Sequence, residues 1–364
     1  MRVLHILNEL RPSGAELMYL AAADLWRAHG VECEILSTGA KPGILAPRMA
    51  DAGFKIHHIP YLRTPRFVID VHRFLRRGRY DVIHIHTERA SFWYALSAYL
   101  AGSHRLFRTV HNVFPFRGML RVRRALQRYI QRRLGVHMIA ISPSVGVAEW
   151  RYFANPTELI PNWFDDTSYV PPTTPERLQA RQYLGVPPET VAFCSVAGCW
   201  SYKNHTAIIR ALAQIPEELD ILYLHAGMEE AGLPERMLAA DMGVEHRVRF
   251  LGVVPEVLPV LHASDVYLMP SLYEGFGCSA VEAMGAGVPT ILSDVPGLCD
   301  FRETCSGIRW VNTTPVSIAS AMQELIYMPP EERQRVGRSL SHAVRSHYGL
   351  GQGALHYATL YLGA

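Results

Sequence analysis

Two glutamates, Glu274 and Glu282, stand eight positions apart, and a turn with Gly275 and Gly277 follows the first. The short apolar run 265–270 predicts a buried strand before the turn, and the good helix formers around Glu282 favour a helix after it. A glycine loop that opens a helix exposes backbone N–H groups, which bind anions. Carboxylates accept hydrogen bonds from hydroxyl groups. The segment therefore suits a ligand that carries phosphate and, separately, hydroxyl groups, as a nucleotide sugar does.

The run from Leu272 to Pro289 resembles the donor-site signature of glycosyltransferase family 4, whose members are retaining enzymes with the GT-B fold. The two glutamates match the family's Glu-seven-residues-Glu spacing, and the Glu-Ala-Met-Gly-x-Gly-x-Pro continuation also has its counterpart here. The alternative is that the glycines only form a tight turn and that the two acids are solvated. The resemblance implies a donor site that comprises Glu274, Gly275, Phe276, Gly277, Cys278, Ser279 and Glu282.

A lysine in a second loop is the candidate ligand for the donor diphosphate. Lys203 follows a predicted strand and opens a helix, and the family has Gly-Arg-Leu a few residues before this lysine. Here the arginine is missing, and Gly198 or Cys199 takes its place, depending on the register. The resemblance further implies that Val253 and Val254 contact the nucleobase. The sequence contains no Asp-x-Asp, so we expect no metal and no other cofactor at the donor diphosphate.

Further candidates lie in the first half of the chain. Gly14 and Ala15 leave the backbone open where the first predicted strand meets a helix, although a plain Rossmann turn would look the same. His86 and His111 each end an apolar run, which places both at the carboxyl edge of a sheet, where ligands bind. The resemblance puts His111 beside the transferred sugar and His86 near the acceptor. Arg117 is a further candidate on the acceptor side, and most of the 17 histidines must be structural.

Predicted strands and helices alternate along the chain, which favours two parallel, doubly wound sheets. The resemblance implies the GT-B fold, an α/β architecture of two Rossmann-like domains that face a central cleft. We place an acceptor-binding domain at 1–163, a proline-rich linker at 164–176 and a nucleotide-sugar-binding domain at 177–340. The resemblance also implies that a C-terminal helix at 341–364 packs back on the first domain.

Length and composition agree with two folded domains. The 364 residues are 49% hydrophobic and 19% charged, which excludes a largely disordered chain. The longest aromatic-rich apolar stretch, 90–102, is shorter than the ~20 residues that a membrane helix needs. The first residues predict a strand, not a signal peptide, and the six cysteines are scattered, as is typical of free thiols. We therefore expect a cytoplasmic protein.

Charge is distributed unevenly along the chain. Residues 1–160 carry 23 Lys and Arg against 11 Asp and Glu, whereas residues 161–364 carry 13 against 22. A basic first domain predicts an anionic partner there, such as the inner face of a membrane or a phosphorylated acceptor, although a solvated arginine-rich helix is an equal alternative. Much of the excess lies in Arg121, Arg124, Arg128 and Arg132, which are spaced three or four residues apart.

These features lead to the interpretation of the chain as a retaining, metal-independent glycosyltransferase. We expect a nucleotide sugar as donor, with a UDP-sugar favoured by family frequency, and a saccharide or lipid-linked acceptor of cell-envelope or exopolysaccharide synthesis. His111, Glu274 and Lys203 are the predicted catalytic residues. No nucleic acid is expected as a partner. The alternatives are a nucleotide-sugar epimerase of the same fold and a non-catalytic protein that binds a nucleotide or sugar.

Overall fold

A computed structural model describes residues 1–114 and 116–363. The chain forms two compact units, one built from residues 1–163 with 350–364 and the other from residues 164–349. Each unit contains one parallel sheet with helices on both faces. The chain therefore folds as two doubly wound α/β units, which confirms the predicted fold class at the level of the individual domains.

The first unit contains a seven-stranded parallel sheet in the order β3-β2-β1-β4-β5-β6-β7. Its strands are β1 (Arg2–Leu7), β2 (Glu32–Ser37), β3 (Lys55–His58), β4 (Val82–Ile85), β5 (Leu106–Val110), β6 (Val136–Ala140) and β7 (Glu158–Leu159). Its helices are α1 (Gly14–Ala28), α2 (Ala46–Asp51), α3 (Pro65–Gly78), α4 (Ser91–Leu100), α5 (Gly118–Arg133), α6 (Pro143–Phe153) and, from the end of the chain, α14 (Leu350–Leu362).

Side-chain alternation along β1 separates two cores in this unit. Val3 and Leu7 belong to a core with residues of α1 and α14, whereas Leu4 and Ile6 belong to a core with residues of α3 and α4. Residues two apart on a strand share a face, so His5 points toward α1 and α14. The direction in which successive strands are added to the sheet reverses between β1 and β4. The loops that follow these two strands leave the sheet at this switch point, where doubly wound sheets bind ligands.

The second unit contains a six-stranded parallel sheet in the order β10-β9-β8-β11-β12-β13. Its strands are β8 (Val191–Val196), β9 (Ile221–Ala226), β10 (Val248–Gly252), β11 (Val266–Met269), β12 (Thr290–Ser293) and β13 (Arg309–Val311). Its helices are α7 (Thr174–Leu184), α8 (His205–Leu212), α9 (Pro234–Asp241), α10 (Leu258–Ala263), α11 (Cys278–Gly285), α12 (Pro315–Tyr327) and α13 (Pro330–Tyr348). Here the switch point lies between β8 and β11.

The end of the chain and the linker differ from the sequence-based expectation. In place of one helix at 341–364, the structure has α13 and α14 with a break at Gly349, and only the residues after the break belong to the first unit. The proline-rich segment is not a free linker, because Trp163 and Phe164 are buried. Gly353 leaves room for Trp163, since a Cβ there would lie 2.2 Å from the indole ring. Trp163 thus packs within the first unit, and Phe164 packs beside Gly285 within the second.

All six cysteines are free, as expected. Across the described residues, the helices are too short or too polar to span a lipid bilayer.

Candidate functional site

Glu274 lies in the loop between β11 and α11, at the switch point of the second sheet. Its carboxylate oxygen Oε1 accepts hydrogen bonds from Ser271 Oγ at 2.7 Å and from Lys203 Nζ at 2.6 Å. Lys203 ends a short 3-10 helix that follows the neighbouring strand β8. The two residues predicted to hold the sugar and the diphosphate therefore lie together, as an ion pair with both side chains largely buried.

The ion pair between Lys203 and Glu274 was not predicted from the sequence. In it, the two opposite charges neutralise each other. Beside the pair, the rings of Tyr202 and Tyr273 stack with centroids 5.1 Å apart. Asn204 ties the lysine loop in place, since its side-chain amide donates to the carbonyl oxygens of Pro270 and Thr313. The loop that carries Lys203 is thus bonded to the loops that follow β11 and β13.

Two glycines shape the loop around Glu274. Gly277 begins α11 with φ at +90°, and Gly297 has φ at +89°, a region that L side chains rarely adopt. A Cβ at Gly297 would lie 2.3 Å from the carbonyl oxygen of Glu274. The carbonyl oxygen of Pro296, the residue before Gly297, accepts a hydrogen bond from the backbone N–H of Glu274. Sequence analysis singled out Gly277 but missed Pro296, Gly297 and Ser271, whose contacts are made only after folding.

The other predicted residues of this loop have different roles. The Phe276 side chain is a core anchor that packs edge-on against Phe301 and Tyr348, so only its backbone remains available for a ligand. Ser279 Oγ accepts a hydrogen bond from Tyr267 OH at 2.8 Å. Gly275 and Cys278 lie in the same turn, beside the N-terminus of α11, which is eight residues long.

Glu282 occupies the middle of α11 in a very different environment from Glu274. The described residues provide no hydrogen-bond or ion-pair partner for its carboxylate. Burial raises the pKa of Glu282 to about 8. The residue is only partly buried, so donors from a bound molecule can reach its carboxylate. Glu282 is therefore suited to receive hydroxyl groups from a bound molecule.

The structure also tests the two registers of the missing arginine. Cys199 is buried, with its thiol 3.6 Å from His225 Nε2, and an arginine there would have no room. At Gly198 a Cβ would meet the Trp200 indole at 2.9 Å, and that ring is 42% exposed and able to move. Gly198 is thus the position that can accommodate an arginine. Val253 and Val254 follow β10, and the Val253 side chain is exposed.

In the first unit, Gly14 and Ala15 begin α1 after the loop that leaves β1. Ser13 precedes them, and its hydroxyl donates to the Glu16 carboxylate. Glu16 is buried, which raises the pKa of its carboxyl group. The helix start is therefore held by a local side-chain contact in addition to its backbone.

His86 and His111 end neighbouring strands and contact each other, with His86 Nδ1 3.2 Å from His111 Nε2. His86 Nε2 lies 3.0 Å from His5 Nδ1, and Tyr19 OH lies 3.2 Å from His86 Nδ1. Burial lowers the pKa of His111 to about 4, that of His5 to about 3 and that of His86 well below its ordinary value. The group is therefore neutral near pH 7. Sequence analysis missed His5, whose position inside a strand gave no signal.

The predicted arginine stripe on α5 needs correction. Arg128 is buried, and its guanidinium binds Glu149 with two hydrogen bonds and also contacts Glu88. Arg124 also pairs with Glu88 and lies over the ring of Phe116. Arg128 and Arg124 thus pair with Glu88 and Glu149, whereas Arg121 is exposed, so the four arginines do not form one surface stripe. Arg117 is exposed at the N-cap of α5.

Comparison with protein-family models assigns a known domain type to each half of the chain. Residues 12–168 match the family described as Glycosyltransferase Family 4, and residues 176–340 match Glycosyl transferases group 1. Together the two matches cover most of the chain.

Two curated relatives and one solved structure illustrate the similarity. D-inositol 3-phosphate glycosyltransferase of Corynebacterium diphtheriae is 28% identical over 48% of this chain and 43% of its own length. UDP-Gal:alpha-D-GlcNAc-diphosphoundecaprenol alpha-1,3-galactosyltransferase of Escherichia coli is 24% identical over 66% of this chain and 64% of its own length. The chain thus aligns with less than two thirds of either relative.

The crystal structure of Anabaena HepE in complex with UDP and glucose superposes with a TM-score of 0.86, at 19% identity and with full coverage of both chains. At this identity the likeness concerns the fold alone, and it confirms the GT-B class. The two family matches fall almost entirely in one unit each, so each unit is similar to a glycosyltransferase domain.

Proposed function

We propose that this protein is a retaining glycosyltransferase that transfers a hexose from a UDP-sugar to a saccharide or lipid-linked acceptor. The observation that supports this most is the arrangement at the second switch point, where the Lys203–Glu274 pair lies in the loops that precede α8 and α11. Glu282, in the middle of α11, has an acceptor without a partner among the described residues. A cation, a helix N-terminus and two carboxylates match the diphosphate and hydroxyl groups of such a donor.

Electrostatic stabilisation of the departing diphosphate is the main catalytic effect in this proposal. Lys203 contributes a positive charge, and the N–H groups at the start of α11 contribute their dipoles, with no metal required. Glu282 accepts hydrogen bonds from the ribose, and Glu274 accepts them from the sugar. Loss of one well-placed donor to a developing charge typically lowers the rate ~10²–10³-fold.

His111 is proposed to orient the transferred sugar. The family match of residues 12–168 and the position of His111 at the carboxyl end of β5 support this role. Its neutral state suits hydrogen bonding to a hydroxyl group. Gly14 and Ala15, at the start of α1, are proposed to approach the donor through their backbone, and Arg117 to contact the acceptor.

The test is incubation of the purified protein with UDP-sugars, with and without a membrane extract as acceptor source, followed by mass spectrometry. Sugar transfer that requires the extract supports the proposal. Interconversion of the nucleotide sugar without any extract would identify an epimerase instead, and UDP binding without either reaction would favour a binding protein. Repeating the transfer with a chelator tests metal independence, which fails if activity is lost.

The membrane is the proposed location of the acceptor, because the exposed face of α5 suits a bilayer surface. Met119, Val122, Leu126 and Tyr129 are each more than half exposed and follow one another at helical spacing. Exposed arginines, among them Arg121 and Arg123, flank this apolar stripe. An apolar stripe with basic flanks is typical of helices that lie in the interface of anionic membranes.

A further inference from the structure

A chain of ring nitrogens runs from the interior of the first unit to His111. His5 and His84 are register neighbours on β1 and β4, and His86 follows two residues later on the same face. His5 Nδ1 contacts His86 Nε2 at 3.0 Å, and His86 Nδ1 contacts His111 Nε2 at 3.2 Å. His84 lies outside this chain, since its two nitrogens contact Tyr361 OH at 2.5 Å and Thr109 Oγ1 at 2.7 Å.

Because each neutral histidine carries one N–H, the protons can be arranged along the chain in only two consistent ways. In the first, His86 donates from Nε2 to His5, and His111 donates from Nε2 to His86. In the second, His5 donates from Nδ1 to His86, and His86 donates from Nδ1 to His111. The first leaves His111 Nδ1 as a bare acceptor, whereas the second places a proton on it.

The His5 end of this chain of ring nitrogens distinguishes the two arrangements. His5 Nε2 is buried without a hydrogen-bond partner. In the first arrangement this atom would be a buried N–H without an acceptor, which native proteins rarely contain. In the second it is an unprotonated nitrogen, and under-satisfied buried acceptors are less rare than orphaned donors. The second arrangement is therefore the more stable one.

We propose that His5 and His86 are positioning residues that fix the tautomer of His111, so that its Nδ1 carries the proton and donates to the ligand. No described residue lies within hydrogen-bonding distance of that nitrogen. The catalytic consequence rests on the proposed function, since a donor at Nδ1 suits a sugar hydroxyl oxygen. The tautomer itself does not depend on that function.

The surroundings of the chain keep the rings in place. The His5 ring stacks on Trp26 with centroids 5.4 Å apart and an interplanar angle of 11°. Tyr19 OH lies 3.2 Å from His86 Nδ1, and in the second arrangement its oxygen is a second acceptor for the Nδ1–H group of His86. Burial lowers the pKa of all three histidines of the chain, so each stays neutral and the tautomer logic applies near pH 7.

The direct test is the tautomeric state of His111 in the intact protein. Histidine labelled with ¹⁵N gives distinct signals for protonated and unprotonated ring nitrogens, and a His111→Gln variant assigns the signals. We expect a protonated Nδ1 on His111 and an unprotonated Nε2 on His5. A proton on His111 Nε2 in the wild type would overturn the proposal.

Two substitutions at His5 separate positioning from packing. His5→Asn keeps an amide N–H near the position of Nδ1, whereas His5→Phe keeps an aromatic ring on Trp26 but removes the donor. We expect His5→Phe to move the proton of His111 to Nε2 and to lower kcat about tenfold or more, the effect of losing one hydrogen bond. UDP affinity should stay unchanged, and His5→Asn should retain the wild-type tautomer and most of the turnover.

Several outcomes are distinguishable. Equal turnover and an unchanged His111 tautomer in folded His5→Phe would refute the proposal. A protein without transferase activity whose His111 still carries the Nδ1 proton would refute the proposed function and keep the tautomer assignment. The nitrogens of His5, His84 and His86 lie within 4.8 Å of one another, so stoichiometric zinc in the purified protein, measured by mass spectrometry, would also overturn the proton chain.

Discussion

The two glutamates of the donor loop differ most in what surrounds their carboxylates. Glu274 has a lysine and a serine as donors, which stabilise its charge. Glu282 has neither, and burial raises its pKa to about 8. One motif thus contains a carboxylate that already has donors and another that has none among the described residues.

This difference predicts a pH dependence of UDP binding. If ribose hydroxyls donate to Glu282, they favour its carboxylate form, so binding must release a proton from the neutral acid below about pH 8. Affinity should therefore rise with pH up to about 8, by at most tenfold per unit, and then level off. Calorimetry at pH 7 in buffers of different ionisation enthalpy measures the released proton. Glu282→Gln should weaken binding and abolish this release, and a release unchanged in that variant would assign the proton to another group.

The ion pair predicts opposite effects of its two members on UDP. Lys203→Ala should weaken UDP binding by ~1.5–3 kcal/mol, the value of a hydrogen bond to a charged group. Glu274→Gln frees Lys203, so affinity for bare UDP should stay equal or increase, while turnover of the UDP-sugar falls. The double variant controls for the buried carboxylate that Lys203→Ala leaves unpaired. Equal losses of UDP affinity in both single variants would show that Glu274 also holds the nucleotide.

At the scale of elements, the loops that follow β11 and β12 contain Gly277 and Gly297 in backbone conformations that only glycine adopts easily. Gly297→Ala should disrupt the donor loop, because its Cβ would meet the Glu274 carbonyl at 2.3 Å. Gly232→Ala is the matched control, since Gly232 has the same φ of +89° and no neighbour within 4 Å. The control should cost only the ~1–2 kcal/mol of a left-handed residue. Urea unfolding and turnover measurements show how much more stability and activity Gly297→Ala loses than Gly232→Ala. Equal losses in the two variants would show that the approach of the Cβ to the Glu274 carbonyl has no effect.

The exposed stripe of α5 predicts which substitutions affect membrane binding. Replacing Val122 and Leu126 with glutamine should reduce co-sedimentation with anionic vesicles and leave UDP affinity intact. Arg121→Gln and Arg123→Gln should weaken binding mainly at low salt, by about 1 kcal/mol per arginine. Arg128→Gln should instead lower stability, because Glu149 loses its partner. Wild-type protein that fails to sediment with anionic vesicles at low salt would contradict the membrane proposal.

Much of this architecture followed from local patterns in the sequence. The strand β11 was predicted within one residue at each end, because the run 265–270 is short, apolar and ended by a proline. The orientation of α5 was not predictable from spacing alone. Arg128 falls on the buried face because Glu88 and Glu149 lie there, and these partners come from distant parts of the chain. The Lys203–Glu274 contact likewise required the order of strands in the sheet.

At the scale of the whole molecule, burial lowers the pKa of four histidines in the first unit and of three in the second, His205, His225 and His262. His5, His84, His86 and His111 all have pKa values lowered by burial, and they lie within one network. Burial raises the pKa of two acids in the second unit, Glu235 and Glu282, and of one in the first unit, Glu16. Those acids take up protons in the folded state and so offset part of the effect of acid.

The two units should therefore respond differently to a fall in pH. A histidine whose folded pKa is depressed binds its proton only after unfolding, so the stability it allows is complete above about pH 6.5 and declines as pH falls toward the folded value. The decline is about 1.4 kcal/mol per pH unit for each such histidine. Between pH 6.5 and 4.5, amide hydrogen exchange should accelerate first in residues 1–163 and 350–364. A His84→Gln variant removes one of these protonation sites. In it, the acceleration of exchange should begin at lower pH or rise less steeply as the pH falls. Earlier exchange in residues 164–349 would mean that acid acts chiefly through the carboxylates of the second unit.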